Sequence, residues 1–181
     1  MKKVLILSGS PRKGGNSDIL CDQFAKGAVD AGNEVEKIRI AEKKIAPCTG
    51  CYFCSKSGGR CALNDDMGEI LQKIIDCDVL VLSSPVYFYS MCAQLKMVID
   101  RTVARWTEIA NKDLYYIMTA AEEDEDTMDG TLACMHGFAM CIDGYEEKGV
   151  LYGKGVHEKG EVVNHPELMQ IAYEMGNSVH D

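Results

Sequence analysis

The 181-residue sequence has no apolar run long enough to cross a bilayer, so no membrane-spanning segment is expected. Its first apolar stretch, 4–7, is too short for the hydrophobic region of a secretory leader. It is broken at once by Ser8, Gly9 and Ser10. A buried first strand is the better reading, and a cytoplasmic location is the expectation. Positive charge is also short. Nineteen Lys and Arg stand against 28 Asp and Glu, a net charge of −9. An acidic chain repels nucleic-acid phosphates, which argues against nucleic-acid binding. There is no internal repeat and no low-complexity linker. The length and 46% apolar content suit one domain over 1–181, with one long aperiodic connection at 45–63.

Cysteine, by contrast, is plentiful, with nine in the chain. An odd number without an export signal argues against a disulfide framework. Cys21, Cys77, Cys92, Cys134 and Cys141 stand singly among apolar residues and read as small core hydrophobes. Cys48, Cys51, Cys54 and Cys61 are clustered in the 45–63 connection.

The apolar pattern alternates between short strands and helices. Strands are expected over 4–7, 35–40, 79–82, 114–118 and 149–154. The first, third and fourth are continuously apolar, as in a parallel sheet covered on both faces. Helical stripes run through 16–31, 66–77, 95–102, 128–142 and 168–179. Asn64 or Asp65 suits a cap for the second helix, and Pro166 the first position of the last. This alternation predicts an α/β doubly wound, five-stranded parallel sheet of flavodoxin-like order 2-1-3-4-5, with helices on both faces. Ligands on such sheets bind at the carboxyl ends of the strands. The loops after strands 1, 3 and 4 are therefore the places to look.

The first of these loops runs Ser8-Gly9-Ser10-Pro11-Arg12-Lys13-Gly14-Gly15-Asn16-Ser17 and opens a helix. Hydroxyls, cations and a helix N-terminus together suit a phosphate. The dinucleotide fingerprint fails because Pro11 stands where its second glycine belongs, and the Walker A pattern fails because Gly15 and Asn16 follow Gly14. A capped βα turn without a ligand fits the loop alone equally well.

Gly9-Ser10-Pro11-Arg12 with Gly15-Asn16-Ser17 resembles the phosphate loop of the NADPH-dependent FMN reductases of the flavodoxin-like superfamily. Ser84-Pro85-Val86-Tyr87-Phe88-Tyr89-Ser90, followed by Leu95-Lys96 and Asp100-Arg101, is similar to that family's flavin-ring loop and the helix after it. Thr119-Ala120-Ala121 resembles its third flavin loop more weakly. The resemblance implies bound FMN, with Ser8, Ser10, Arg12, Asn16 and Ser17 in the phosphate loop. Pro85, Val86, Tyr87, Phe88 and Ser90 fall at the ring, with Thr119 and Ala120 in the third loop. Asp100 and Arg101 read as a structural pair or interface residues.

Cys48-x2-Cys51-x2-Cys54-x6-Cys61 is one compact run. That favours iron–sulfur ligation over the two separated pairs of a four-cysteine zinc site. It is similar to the motif of the iron–sulfur flavoprotein branch, which implies a [4Fe–4S] cluster. Zinc, a labile disulfide and free thiols remain open.

The resemblance implies an FMN-dependent oxidoreductase using NAD(P)H and passing electrons to a small-molecule acceptor, a redox protein or the cluster. It also implies a homodimer or homotetramer. A non-catalytic electron carrier working with ferredoxin is the alternative, and a cofactor-less binding module a third. The flavin carries the hard step, so no catalytic side chain is assigned. His136, His157, His165 and His180 read as surface or capping residues. The acidic run Glu122-Glu123-Asp124-Glu125-Asp126 reads as a solvated helix start, or as a charge that lowers the flavin potential.

Overall fold

The computed structural model describes residues 1–180. Strand β1 (Lys3–Ser8) lies between β2 (Glu34–Arg39) and β3 (Val79–Tyr87). Beyond β3 come β5 (Asp113–Thr119) and β6 (Glu146–Gly153), all parallel, in the order β2-β1-β3-β5-β6. The more polar β2 and β6 are the edges, as expected.

The expected five strands need one correction. A sixth, β4 (Ser90–Met91), turns back antiparallel onto β3, pairing Val86 with Met91 and Tyr87 with Ser90. The two residues between them, Phe88 and Tyr89, sit at φ 49° and 59°. Tight hairpins of this kind need left-handed backbone at both turn positions and normally carry Asn-Gly or Gly. Phe-Tyr gives no such signal, so the hairpin is not announced in the sequence.

Side chains alternate along the buried strands and feed two cores. Val4 and Ile6 face one side of the sheet with Leu20 and Phe24 of α1 (Asn16–Asp30) and Ala172 of α6 (Pro166–Asn177). Leu5 and Leu7 face the other. There they meet α3 (Met67–Asp76), α4 (Ala93–Arg101) and α5 (Asp129–Ala139) through Ile70, Leu95 and Met135. Two covered faces explain why these strands read as unbroken apolar runs. Pro166 begins α6 as expected, while the cap before α3 is Asp66. Asp65 still accepts the Met67 N–H at 3.2 Å. The expected helix over 128–142 is a 3-10 turn, Glu125–Met128, followed by α5.

Cys21, Cys77 and Cys92 are buried, and burial pushes the Cys21 and Cys77 thiols up to about 12. Cys134 is half-buried and packs against the core, whereas Cys141 is exposed and is not a core residue. None of the nine is in a disulfide. Among the described residues no helix is long and apolar enough to cross a membrane.

Candidate functional site

The loop between β1 and α1 leaves the sheet at its carboxyl edge. Gly9 donates its N–H to Ser83 O of β3 at 2.9 Å. A Cβ on Gly9 would overlap that carbonyl and the Cys92 sulfur, so glycine is needed for this approach. The first intrahelical bond of α1 is Ile19 N to Gly15 O, 2.9 Å. The N–H groups of Asn16, Ser17 and Asp18 therefore have no helical acceptor, which is what makes a helix start attractive to an anion. The Ser17 hydroxyl is buried beside them without a partner.

The side chains of Ser8, Ser10 and Asn16 are engaged within the protein. Ser8 donates to Asp18 Oδ1 at 3.0 Å. The Ser10 hydroxyl accepts the Arg12 N–H at 3.2 Å, closing a local turn. The Asn16 amide donates to Val156 O at 3.2 Å and Glu158 O at 2.9 Å and accepts from Val162 N at 3.1 Å. Asn16 thus anchors the segment after β6 rather than offering its side chain to a ligand. Asp18 is buried beneath the loop and accepts the Gly14 N–H at 2.9 Å. It also pairs with Lys37 at 3.1 Å and Arg39 at 3.2 Å. Burial alone would raise its carboxyl, but the Gly14 N–H, Lys37 and Ser8 outweigh that and hold it below the ordinary carboxylate value.

Beside this loop, at the carboxyl ends of β3 and β5, lies a cavity of about 540 Å³. Arg12, Pro85, Val86, Tyr87, Phe88, Thr119 and Ala120 line it. Ser8, Ser10, Asn16, Ser17 and Ser90 do not, and the Ser90 hydroxyl turns instead to Cys134 Sγ at 3.7 Å. Glu122 and Thr127 complete the wall after β5, and Val156 and His157 the wall after β6. Arg12 Nη1 donates to His157 O at 3.4 Å. The segment from Gly155 to Gly160 follows β6, outside the three loops to which the strand pattern points. Its two glycines, at φ 68° and 80°, after a strand's carboxyl end were the available signal. Of the acidic run, Glu122 reaches the cavity, while Glu125 pairs with Lys154 at 3.0 Å and Asp124 caps the next turn.

The cysteine segment lies elsewhere, between the 3-10 turn Ile40–Glu42 and α3, with a one-turn helix α2 (Phe53–Lys56) inside it. Cys48 and Cys51 are exposed, and Cys54 and Cys61 half-buried. All four line one cavity of about 220 Å³ with Tyr52, Leu63, Arg101 and Val103. Among the described residues no three His, Cys, Asp or Glu side chains converge tightly enough to hold a metal ion. The donor set nevertheless suits a thiolate-ligated group. Leu63 N and Arg101 Nη2 each approach Cys61 Sγ at 3.5 Å. The Phe53 N–H and the Thr49 side chain hold the Cys51 thiol below its ordinary value. Gly50 and Tyr52, at φ 64° and 56°, supply the sharp turns between cysteines.

Asp100 and Arg101 do not pair with each other. Asp100 pairs with Lys96 at 2.5 Å on the surface of α4, while Arg101 is buried against Asp65 at 2.8 Å. Helical neighbours point in directions too different to meet.

Residues 2–129 match the NADPH-dependent FMN reductase family model. An iron–sulfur flavoprotein of Methanocaldococcus jannaschii is 44% identical over 100 residues, 55% of this chain and 51% of that protein. An iron–sulfur flavoprotein of Archaeoglobus fulgidus is 46% identical over 101 residues, 56% of this chain and 45% of that protein. The chain spans about half the length of these curated relatives. Among solved structures, the NAD(P)H:quinone oxidoreductase of Methanothermobacter marburgensis superposes with a TM-score of 0.72 at 19% identity. That match covers 99% of this chain and 98% of the other, a likeness of fold.

Proposed function

Because the chain belongs to the NADPH-dependent FMN reductase family, we propose that it is an FMN-dependent oxidoreductase that takes electrons from NAD(P)H. The observation that carries this reading is one loop with two offerings. It presents a free helix N-terminus with the buried, unpartnered Ser17 hydroxyl, and it places Arg12 on the wall of the adjoining cavity. A buried donor without a partner is costly, and a phosphate oxygen would relieve that cost.

Bound FMN supplies the hydride acceptor. The chain's own residues do the rest. The first N–H groups of α1 and Ser17 hold the phosphate, and Arg12 adds positive charge beside it. Pro85, Val86, Tyr87 and Phe88 edge the flat ring along β3 and its hairpin. Thr119 and Ala120 continue the wall from Pro85 onto the end of β5, and the 155–160 segment, held by Asn16, covers the loop side and limits water.

The four cysteines extend the reading to a [4Fe–4S] cluster exchanging electrons with the flavin. The names of the relatives and the thiols around one cavity support it. The surface position of Cys48 and Cys51 also suits exchange with another redox protein. That is the one observation favouring the electron-carrier alternative. Exposed Tyr87, Phe88 and Tyr89 beside the site fit a homodimer or homotetramer, and the one sheet running through the described residues fits a single domain.

The test is anaerobic purification with a spectrum and flavin and metal counts, followed by steady-state NADH and NADPH oxidation with a quinone. One FMN per chain with turnover supports the enzyme. A flavin-loaded protein with slow turnover but fast exchange with ferredoxin supports the carrier. A colourless protein that ignores added FMN overturns both. FMN with zinc or no metal removes the cluster alone.

A further inference from the structure

Twenty residues, 46–65, form the excursion that carries all four clustered cysteines, and one side chain from outside it touches both of its ends. Arg101, at the last position of α4, is only 2% exposed. Its Nη1 donates to Ala46 O at 2.6 Å and Asp65 Oδ2 at 2.8 Å. Its Nη2 donates to Asp65 Oδ1 at 2.9 Å and Cys61 Sγ at 3.5 Å. Asp65 in turn accepts the Ala46 N–H at 3.0 Å. The Ala46 residue is therefore gripped at its N–H by the carboxylate and at its C=O by the guanidinium.

We infer that Arg101 is the positioning residue of the four-cysteine loop, locking its ends together and holding Cys61 against the shared cavity. Three arguments meet here. Joining the ends of a loop this long costs closure entropy, and a bidentate, charge-assisted pair is among the stronger ways to offset it. Burying a guanidinium is costly, and the contacts of Nη1 and Nη2 to Ala46 O, both Asp65 oxygens and Cys61 Sγ offset that cost although Nε stays unpartnered. The same guanidinium also lines a larger groove of about 950 Å³, and this groove shares Cys61, Ala62 and Leu63 with the cysteine cavity. Arg101 thus stands as a fixed cation in the partition between the two. There it stabilises negative charge on a thiolate-ligated group. Lysine could keep the charge but not the fork.

The part of this inference that concerns the cluster rests on the proposed function, and the part that concerns the loop does not. The test uses the FMN-loaded full chain carrying Arg101→Gln, Arg101→Lys or Asp65→Asn. Amide hydrogen exchange is measured without metal. Iron per chain and the cluster midpoint potential follow anaerobic addition of iron and sulfide. Arg101→Gln should speed exchange across 44–67 about ten-fold or more, as loss of a charge-assisted bond predicts, and leave β1 and β3 unchanged. It should also lower the iron content and make the potential more negative. Arg101→Lys should recover the potential more than the exchange protection. If Arg101→Gln does not fold, Asp65→Asn should give the same local loss of protection. Unchanged exchange in 44–67, or an equal rise throughout the sheet, overturns the inference. A wild-type chain that binds no iron, with the exchange effect present, removes the cluster and leaves the positioning role standing.

Discussion

The carboxylate of Asp18 accepts a hydrogen bond from the backbone N–H of Gly14 at 2.9 Å, so the first turn of α1 reaches back and closes the loop that precedes it. Lys37 and Arg39 of β2 and the hydroxyl of Ser8 hold that carboxylate from the other side. Replacing Asp18 by Asn should cost about 1.5–3 kcal/mol at neutral pH and weaken FMN binding, because the loop loses its charged anchor. The sign of the pH dependence follows from the lowered carboxyl of Asp18. Its contribution is present above the unfolded value of about 4 and fades as pH falls through the lower folded value. Melting curves of wild type and Asp18→Asn should differ most above pH 5 and converge in acid. A gap that widens as pH drops would remove this role.

Ser17 separates ligand binding from folding. Its hydroxyl is buried and unpartnered, so Ser17→Ala should leave the flavin-free protein as stable as before, or slightly more so. FMN binding should weaken about ten-fold or more if the hydroxyl meets the phosphate. Riboflavin, which has no phosphate, should bind both proteins equally. Fluorescence titration with the two flavins decides the matter, and an equal loss for both would place Ser17 away from the phosphate.

The seam between α1 and α6 is a matter of backbone contact. A methyl group on Gly27 would overlap Tyr173 O, and one on Gly176 would overlap Phe24 O. Gly27→Ala should therefore destabilise by about 1–3 kcal/mol despite alanine's better helix propensity. At this chain length that is about 2–4 °C in Tm for each kcal/mol. Gly137, in α5 with nothing within reach of its Cβ, is the control, and Gly137→Ala should stabilise. Equal effects at the two positions would contradict the close packing.

Thiol chemistry should follow exposure. Cys48, Cys51 and Cys141 are exposed, whereas Cys21, Cys77 and Cys92 are buried with thiols held in the neutral form. Brief alkylation of metal-free native protein, read by peptide mass, should label the first set. The second set should react only after denaturation. Bound iron should protect Cys48 and Cys51 but not Cys141. Labelling of Cys141 that falls along with that of the loop cysteines would argue against a site confined to 48–61.

Local chemistry was legible in the sequence. Unbroken apolar runs at Val4 and Val79 marked the central strands because burial on both faces removes any need for alternation. Polar β2 and β6 marked the edges, Pro166 opened α6, and the serine- and glycine-rich stretch after β1 marked a helix start able to face an anion. Each of these depends on a few adjacent residues. What only the tertiary structure decided depends on residues far apart. Asn16 holds Val156 and Val162, Arg101 leaves its neighbour Asp100 for Asp65, and Phe88 and Tyr89 adopt a hairpin their side chains disfavour. Pattern and propensity report how a side chain meets its own backbone and solvent. Which distant group arrives to take its hydrogen bonds is set when the sheet is assembled and the helices dock, and the partners of Asn16 and Arg101 were chosen there.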